Sequence, residues 1–243
     1  MKRLFDFTAS LLGLVILSPL LLVASLLVWL QDRHSPFYIP IRVGRGGRPY
    51  RMIKLRSMVV RADANKVDST ANNDPRITVI GRTIRRFKFD EIPQLWNVMV
   101  GDMSLVGPRP NVSRETDLYT SEEKHLLSVR PGITDLSSIV FADEGRILEG
   151  KSDPDLAYNQ LIRPYKSRLG LLYIDHSGVW LDMRLIFVTL LSAVNRRAAL
   201  DRVSALVSRL GAPPELVEVA SRNSPLRPAP PPGATDIVSK RGI

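Results

Sequence analysis

Residues 7–30 read FTASLLGLVILSPLLLVASLLVWL, almost continuously apolar and longer than the roughly 20 residues that carry a helix across the hydrocarbon core of a bilayer. This run puts the start of the chain in a membrane, so that the remaining residues work at its surface. A cleaved leader fits poorly: Asp6 interrupts the basic start Met1-Lys2-Arg3, the apolar run is long, and no clear small-residue cleavage site comes after it. Both flanks are basic, with Lys2 and Arg3 before the run and Arg33, Arg42, Arg45, Arg48 and Arg51 after it. Lysine and arginine are enriched on cytoplasmic flanks, so both ends ask for the same side. Near the middle lies Ser18-Pro19, where the proline removes a backbone donor and kinks a helix. A helix broken there enters the membrane and returns. Proline also occurs in spanning helices, whose neighbours satisfy the freed groups, so the residues alone leave both geometries open.

Outward from this segment, 243 residues with 44% hydrophobic content give room for one globular core with attachments and exclude wholesale disorder. A formal net charge of +10 calls for an anionic partner, whether nucleic acid, lipid head groups or a phosphorylated substrate. There is no cysteine, and His34, His125 and His176 show no metal-ligand spacing, so any metal is a hard, oxygen-bound cation such as Mg²⁺. Phe37 to Val43 and Arg48 to Ser57 read as two strands of a hairpin joined by Gly44-Arg45-Gly46-Gly47. Residues 60–76 are polar and read as a loop able to close over a substrate. Helical patterning appears at Gly81 to Arg86, Ile92 to Met99, Thr120 to Val129 and Asp155 to Leu169. Leu181 to Val194 is apolar but too short to cross, and charge brackets it, which predicts an interfacial or core helix. An amphipathic helix is expected over Arg196 to Leu210, and a disordered proline-rich tail from Pro225 to Ile243.

Chemistry concentrates at Phe89-Asp90-Glu91-Ile92-Pro93-Gln94-Leu95-Trp96, where two acids precede a helix with proline in its first turn. Asp90 as a plain N-cap with Glu91 as a first-turn acid is the ordinary alternative. Against it stand Arg82, Arg85 and Arg86, spaced to share one helical face just before the acids. Adjacent helical residues point about 100° apart, so the two carboxylates suit separate roles, one attacking phosphorus and one holding Mg²⁺. In the second strand of the hairpin, alternation places Lys54 and Arg56 on one face as a phosphate-binding candidate or, more plainly, a solvated face. The turn-rich run Gly101 to Pro110 offers exposed amides to an anion and serves equally as a structural loop. No P-loop, nucleophile-elbow or zinc-protease pattern is present.

From about Met1 to Asn195 these residues together resemble the bacterial sugar transferases, the monotopic phosphoglycosyl transferases. Lys2-Arg3-Leu4-Phe5-Asp6 is similar to the family's opening motif, Ser18-Pro19 to its helix-breaking pair, and Ile53-Lys54-Leu55-Arg56-Ser57-Met58 to its strand motif. Asp90-Glu91-Ile92-Pro93-Gln94-Leu95-Trp96-Asn97-Val98 with Gly101 to Pro110 resembles its catalytic signature. The resemblance implies a re-entrant anchor with both ends cytoplasmic, Mg²⁺, and a covalent intermediate. Asp90 would be the nucleophile that takes the phosphosugar, and Glu91 would hold the metal. Lys54, Arg56, Arg85 and Arg109 match basic motif positions and would hold phosphate charge. A UDP-sugar donor, a polyprenyl (undecaprenyl) phosphate acceptor and membrane lipids are the implied partners, with no nucleic acid and with room for a homodimer. The implied seat is the cytoplasmic face of a bacterial inner membrane, at the first membrane step of an exopolysaccharide, O-antigen or glycoconjugate. Two departures stand out: Phe87-Lys88-Phe89 replaces Thr-Ser-Leu before the acids, and Asp135-Leu136-Ser137-Ser138 replaces Gly-x-x-Gln after Arg130-Pro131-Gly132-Ile133-Thr134. They bear on sugar or nucleotide contacts more than on the reaction.

The expected architecture is α+β, a helix-rich cytoplasmic domain with a small antiparallel β-hairpin, a re-entrant broken membrane helix and interfacial amphipathic helices. Its divisions are the anchor at 1–35, the catalytic domain at 36–195 and the C-terminal extension at 196–243. Two rivals use the same residues: a membrane phosphodiesterase or pyrophosphatase with water as acceptor, and a non-enzymatic basic scaffold on anionic lipid.

Overall fold

The computed structural model describes residues 1–62, 70 and 73–239. Helix α1 (Lys2–Asp32) runs without interruption through Pro19, where a break is expected from the sequence. Proline has no N–H for the carbonyl of Val15, and the hydroxyl of Ser18 donates to that carbonyl instead, at 2.8 Å. Ser18 thus repairs the bond that Pro19 removes, and the helical path continues. The helix closes at Arg33, whose left-handed backbone (φ 61°) lets its N–H reach Trp29 O at 2.7 Å.

At 1.5 Å per residue α1 is roughly 46 Å long, yet both its ends are fastened to the same domain. Lys2 donates to the carbonyl of Val106 at 3.1 Å and pairs with the buried Asp182, which also accepts from the Tyr173 hydroxyl at 2.6 Å. Arg3 donates to the carbonyls of Val98 and Met99. Asp6 is buried and accepts from the Ser104 hydroxyl at 2.9 Å and the Leu105 N–H at 3.1 Å, the donors that a buried carboxylate requires. At the other end Ala24 and Val28 pack with Leu55 and Ile84, and Asp32 receives two bonds from Arg56 at 2.5 and 2.7 Å.

The hairpin forms as expected, in one register. Strand β1 (Phe37–Tyr38), β2 (Ile41–Val43), β3 (Pro49–Arg51) and β4 (Lys54–Leu55) pair antiparallel, β1 with β4 and β2 with β3. Met52 N–H to Pro40 O at 3.0 Å carries the ladder across the gap. Gly46 and Gly47, at φ 69° and 77°, make the turn. Of the polar stretch 60–76, residues 63–69 and 71–72 lie outside the described residues, and with them the expected substrate-closing loop.

Helix α2 (Val79–Arg86), capped by Thr78, and helix α3 (Gln94–Val100) flank the acidic pair, and α3 packs along α1. Strand β5 (Ser104–Val106) pairs in parallel with β6 (Gly132–Thr134), an element that the sequence reading does not contain. The two chains then cross at Gly107 and Gly132, where a Cβ on Gly132 would lie 2.1 Å from Gly107 N. Only glycine permits that approach, and it fixes the backbone that leads into Pro108-Arg109-Pro110. The short helix α4 (Ser113–Thr116) and a 3₁₀ helix at Glu123–Ser128 come after the loop.

The main core gathers α5 (Leu136–Val140), α7 (Pro154–Leu161), α8 (Arg163–Asp175), α9 (Val179–Val194), α10 (Arg196–Arg209) and α11 (Pro214–Ser221), with α6 (Glu144–Ile147) on its rim. Asp135 caps α5, accepting from Ser138 N–H at 2.7 Å and from the Ser137 and Ser138 hydroxyls, so the first part of that departure from the family pattern is a helix start. Helix α9 is both things its sequence allows. Leu181, Leu185 and Val188 enter the core, while Trp180, Phe187, Leu190 and Val194 form an exposed apolar stripe, 77% exposed at Trp180 and 89% at Val194.

The tail corrects the expectation of disorder. Its described part, residues 225–239, lies in an extended path over α7 and α8: main-chain carbonyls of Arg227, Pro230 and Val238 accept from Tyr165, Arg168 and Gln160, and that of Pro232 from Thr120. Proline-rich chain cannot build its own core, but it is already stiff and loses little entropy when it docks on one. Helices α10 and α11 contribute Val203, Val207, Leu216 and Ala220 to the same core as α8.

The Asp6 clasp yields a stability prediction. Asp6→Ala strands the buried Ser104 hydroxyl and Leu105 N–H, and should lower unfolding stability by about 1–3 kcal/mol in denaturant titrations of the detergent-solubilised protein. An unchanged midpoint would mean that the clasp is idle.

Candidate active site

Asp90 and Glu91 stand on a 3₁₀ turn, Phe89–Glu91, set off from α2 by Lys88 in a left-handed conformation (φ 56°). Neither acid caps α3, whose N-cap is Pro93 and carries no side-chain bond, so the simple capping explanation does not hold. Successive residues of such a turn point about 120° apart, and the two carboxylates part company. Glu91 accepts from Arg109 Nη2 at 2.6 Å. Asp90 makes no hydrogen bond or ion pair among the described residues.

Four cations act on the pair: Lys54 from β4, Arg85 from the last turn of α2, Lys88 from the turn itself and Arg109 from the loop after β5. Burial pushes the Asp90 carboxyl above its ordinary value, the charge of Glu91 pushes it further, and Lys54, Arg85 and Arg109 pull back. Burial acts on Glu91 in the same direction, but Arg109, then Lys88 and Lys54, outweigh it and hold Glu91 at about 2. Arg109 is correspondingly stabilised as a cation by Glu91. Burial, with Arg109 nearby, brings Lys54 down to about 8, while both acids oppose that shift. The environment therefore separates two neighbouring acids into a firmly charged, cation-bound Glu91 and an unengaged Asp90.

Lys54, Arg85 and Arg109 thus meet at the acids, as their positions in the sequence suggest. Arg56 does not. Strand β4 ends at Leu55, the strict alternation ends with it, and Arg56 turns to the C-terminal end of α1, bound to Asp32 and to Ser35 O. Arg86 lies against the ring of Phe87, and Arg82 is exposed. Ser18 and Pro19 belong to α1 alone. Lys88 is a site cation that the sequence reading passes over. Its adjacency to the acids was the available signal, but its left-handed backbone has no signature in a lysine.

No group of three acidic or histidine side chains that would cage a metal is present among the described residues. Mg²⁺ at phosphoryl-transfer sites takes one or two carboxylates and completes its shell with water and substrate phosphates. The charged Glu91, with one oxygen on Arg109, and the open Asp90 fit that donor set.

The buried lysine predicts a pH dependence. As pH rises through about 8, Lys54 loses its proton, and kcat/KM should fall with it. Lys54→Arg keeps the charge at all accessible pH and should move the alkaline limb upward; an unmoved limb would assign it to another group.

Residues 1–196 match the model of the bacterial sugar transferase family. Similar proteins include a UDP-glucose:undecaprenyl-phosphate glucose-1-phosphate transferase of Klebsiella pneumoniae, 35% identical over 82% of this chain and 41% of the relative. One of the same description from Caulobacter vibrioides is 34% identical over 77% of this chain and 67% of the relative. The undecaprenyl-phosphate galactose phosphotransferase of Salmonella typhimurium is 34% identical over 82% of this chain and 41% of its own length. The chain spans about two fifths of the Klebsiella and Salmonella relatives. The fastened apolar helix, the hairpin lysine and the acid pair on its turn all fall within the matched residues, and the chain belongs to the bacterial sugar transferase family.

Proposed function

We propose that this chain transfers a sugar 1-phosphate from a UDP-sugar to a polyprenyl phosphate such as undecaprenyl phosphate, with release of UMP. The observation that carries the reading is an unengaged Asp90 beside a charged, Arg109-bound Glu91, ringed by Lys54, Arg85 and Lys88. A carboxylate attacks phosphorus only when no partner holds its lone pairs, and the cations supply what a diphosphate needs.

In the first half-reaction an Asp90 oxygen bonds to the phosphorus that bears the sugar. The bond from that phosphorus to the bridging oxygen breaks, and UMP leaves with the electron pair. In the second, an oxygen of the lipid phosphate bonds to the same phosphorus and the Asp90 carboxylate departs, giving a polyprenyl diphosphate sugar. Lys54, Arg85 and Arg109 hold charge on the non-bridging oxygens throughout. Glu91 would hold a Mg²⁺ ion, whose chemistry there would be neutralisation of diphosphate charge.

The seating of the chain supports the lipid acceptor. Leu11, Leu12, Val15, Ile16, Leu22 and Val23 of α1 are exposed, as are the stripe on α9 and, close to the acids, Phe87, Trp96 and Val100. Because both ends of α1 hold the same domain, we read it as a monotopic anchor confined to one leaflet. A crossing helix would carry one end away from the domain. With basic flanks at both ends, the assigned side is the cytoplasmic face of the inner membrane.

Nucleotide release from a panel of UDP-sugars tests the reading. The purified chain should release UMP over many turnovers only with polyprenyl phosphate and Mg²⁺, and Asp90→Asn should lose on the order of a thousandfold or more in rate. Release of UDP would mean ordinary glycosyl transfer, and sustained turnover without lipid would mean hydrolysis.

A further inference from the structure

Next to Arg109 lies a cleft whose walls include Tyr158, Lys166, Ser137 and Asn111. Arg109 itself lines it, so one side chain is shared by the cleft and the acid pair. Lys166 of α8 pairs with Glu144 of α6 and lies over the ring of Tyr158, 5.2 Å from its centroid. These side chains are not buried away: Glu144 is 31% and Lys166 14% exposed. The Tyr158 hydroxyl makes no hydrogen bond among the described residues, and the ammonium of Lys166 has protons beyond the one that Glu144 takes. The charge of Glu144 is felt by Arg109, and that of Lys88 by Glu144.

We propose that this cleft receives the sugar ring of the donor, with Lys166 and Tyr158 of its walls, and Glu144 at its edge through the pair with Lys166, reading the hydroxyls; the inference rests on the phosphosugar transfer proposed above. A group bonded to the phosphorus beside Asp90 is one residue away from the cleft through Arg109. A carboxylate, an ammonium and a phenol supply acceptor and donors at neighbouring points, which is what vicinal hydroxyls need. A pyrimidine base asks for flatter, apolar walls, and the adjoining crevice has them in Val43, Leu127, Val129 and Pro131. Glu144 and Lys166 stand 22 residues apart on separate helices and form no sequence motif.

The test pairs enzyme variants with donor analogues. kcat/KM would be measured for the preferred UDP-sugar and its single-deoxy analogues, with wild type, Glu144→Gln and Lys166→Met, alongside inhibition by UMP. One deoxy position should cost wild type roughly 10- to 100-fold and cost Glu144→Gln or Lys166→Met little, with UMP inhibition unchanged. Equal losses for every donor in the variants, or weakened UMP binding, would overturn the assignment in favour of a positioning role or a nucleotide site. Absence of UMP release by wild type from any UDP-sugar would instead defeat the transfer reaction itself.

Discussion

Two adjacent carboxylates cannot sit half-buried at one corner of a protein unless cations separate their fates. At an effective dielectric of about 20, unit charges 4 Å apart interact by about 4 kcal/mol, enough to protonate one acid of an unsupported pair. The 2.6 Å bond from Arg109 to Glu91 resolves the conflict by committing Glu91 to its charged form. Asp90 is left with the burial and the repulsion, and with no partner to occupy it. Much of the surrounding fold serves to deliver the cations: the hairpin brings Lys54, the last turn of α2 brings Arg85, and the glycine crossing at Gly107 and Gly132 directs the loop that carries Arg109.

The same domain is tied to its apolar helix by buried charge. Lys2, Arg3 and Asp6 read as a family motif with no stated task; in the structure they are a clasp, holding the start of α1 to carbonyls in the last turn of α3, to β5 and to Asp182. Because α3 comes directly after the acid turn and packs on α1, the clasp also sets the height of Asp90 relative to the apolar surface. In the proposed reaction a lipid phosphate at the head-group level and a water-soluble nucleotide sugar would approach such a site from opposite sides.

How far the sequence discloses this depends on the range of each interaction. The apolar run, the hairpin with its glycine turn, the acid pair and the inner face of α9 are legible because local pattern determines them. Arg56 misleads because alternation holds only while a strand lasts, and its partner, Asp32, is 24 residues away. The three-residue strands β5 and β6 carry too little pattern to announce a parallel pair. The tail reads as disordered by composition, since composition says nothing of a ready-made surface offered by α7 and α8. Of the site cations, Lys54, Arg85 and Arg109 are legible from motif positions, whereas Lys88 has only its adjacency to the acids as a signal, and the Glu144–Lys166 pair emerges only when separate helices are brought together in space.

The central claim is that Asp90 takes the phosphosugar covalently, and intact-protein and peptide mass spectrometry tests it most directly. The protein, given its UDP-sugar with Mg²⁺ but no lipid acceptor and quenched in acid, should gain the mass of one sugar phosphate on the peptide that contains Asp90. Added polyprenyl phosphate should discharge it. A wild-type enzyme that turns over with lipid yet never carries that mass, or an Asp90→Asn variant that carries it equally well, would contradict the account.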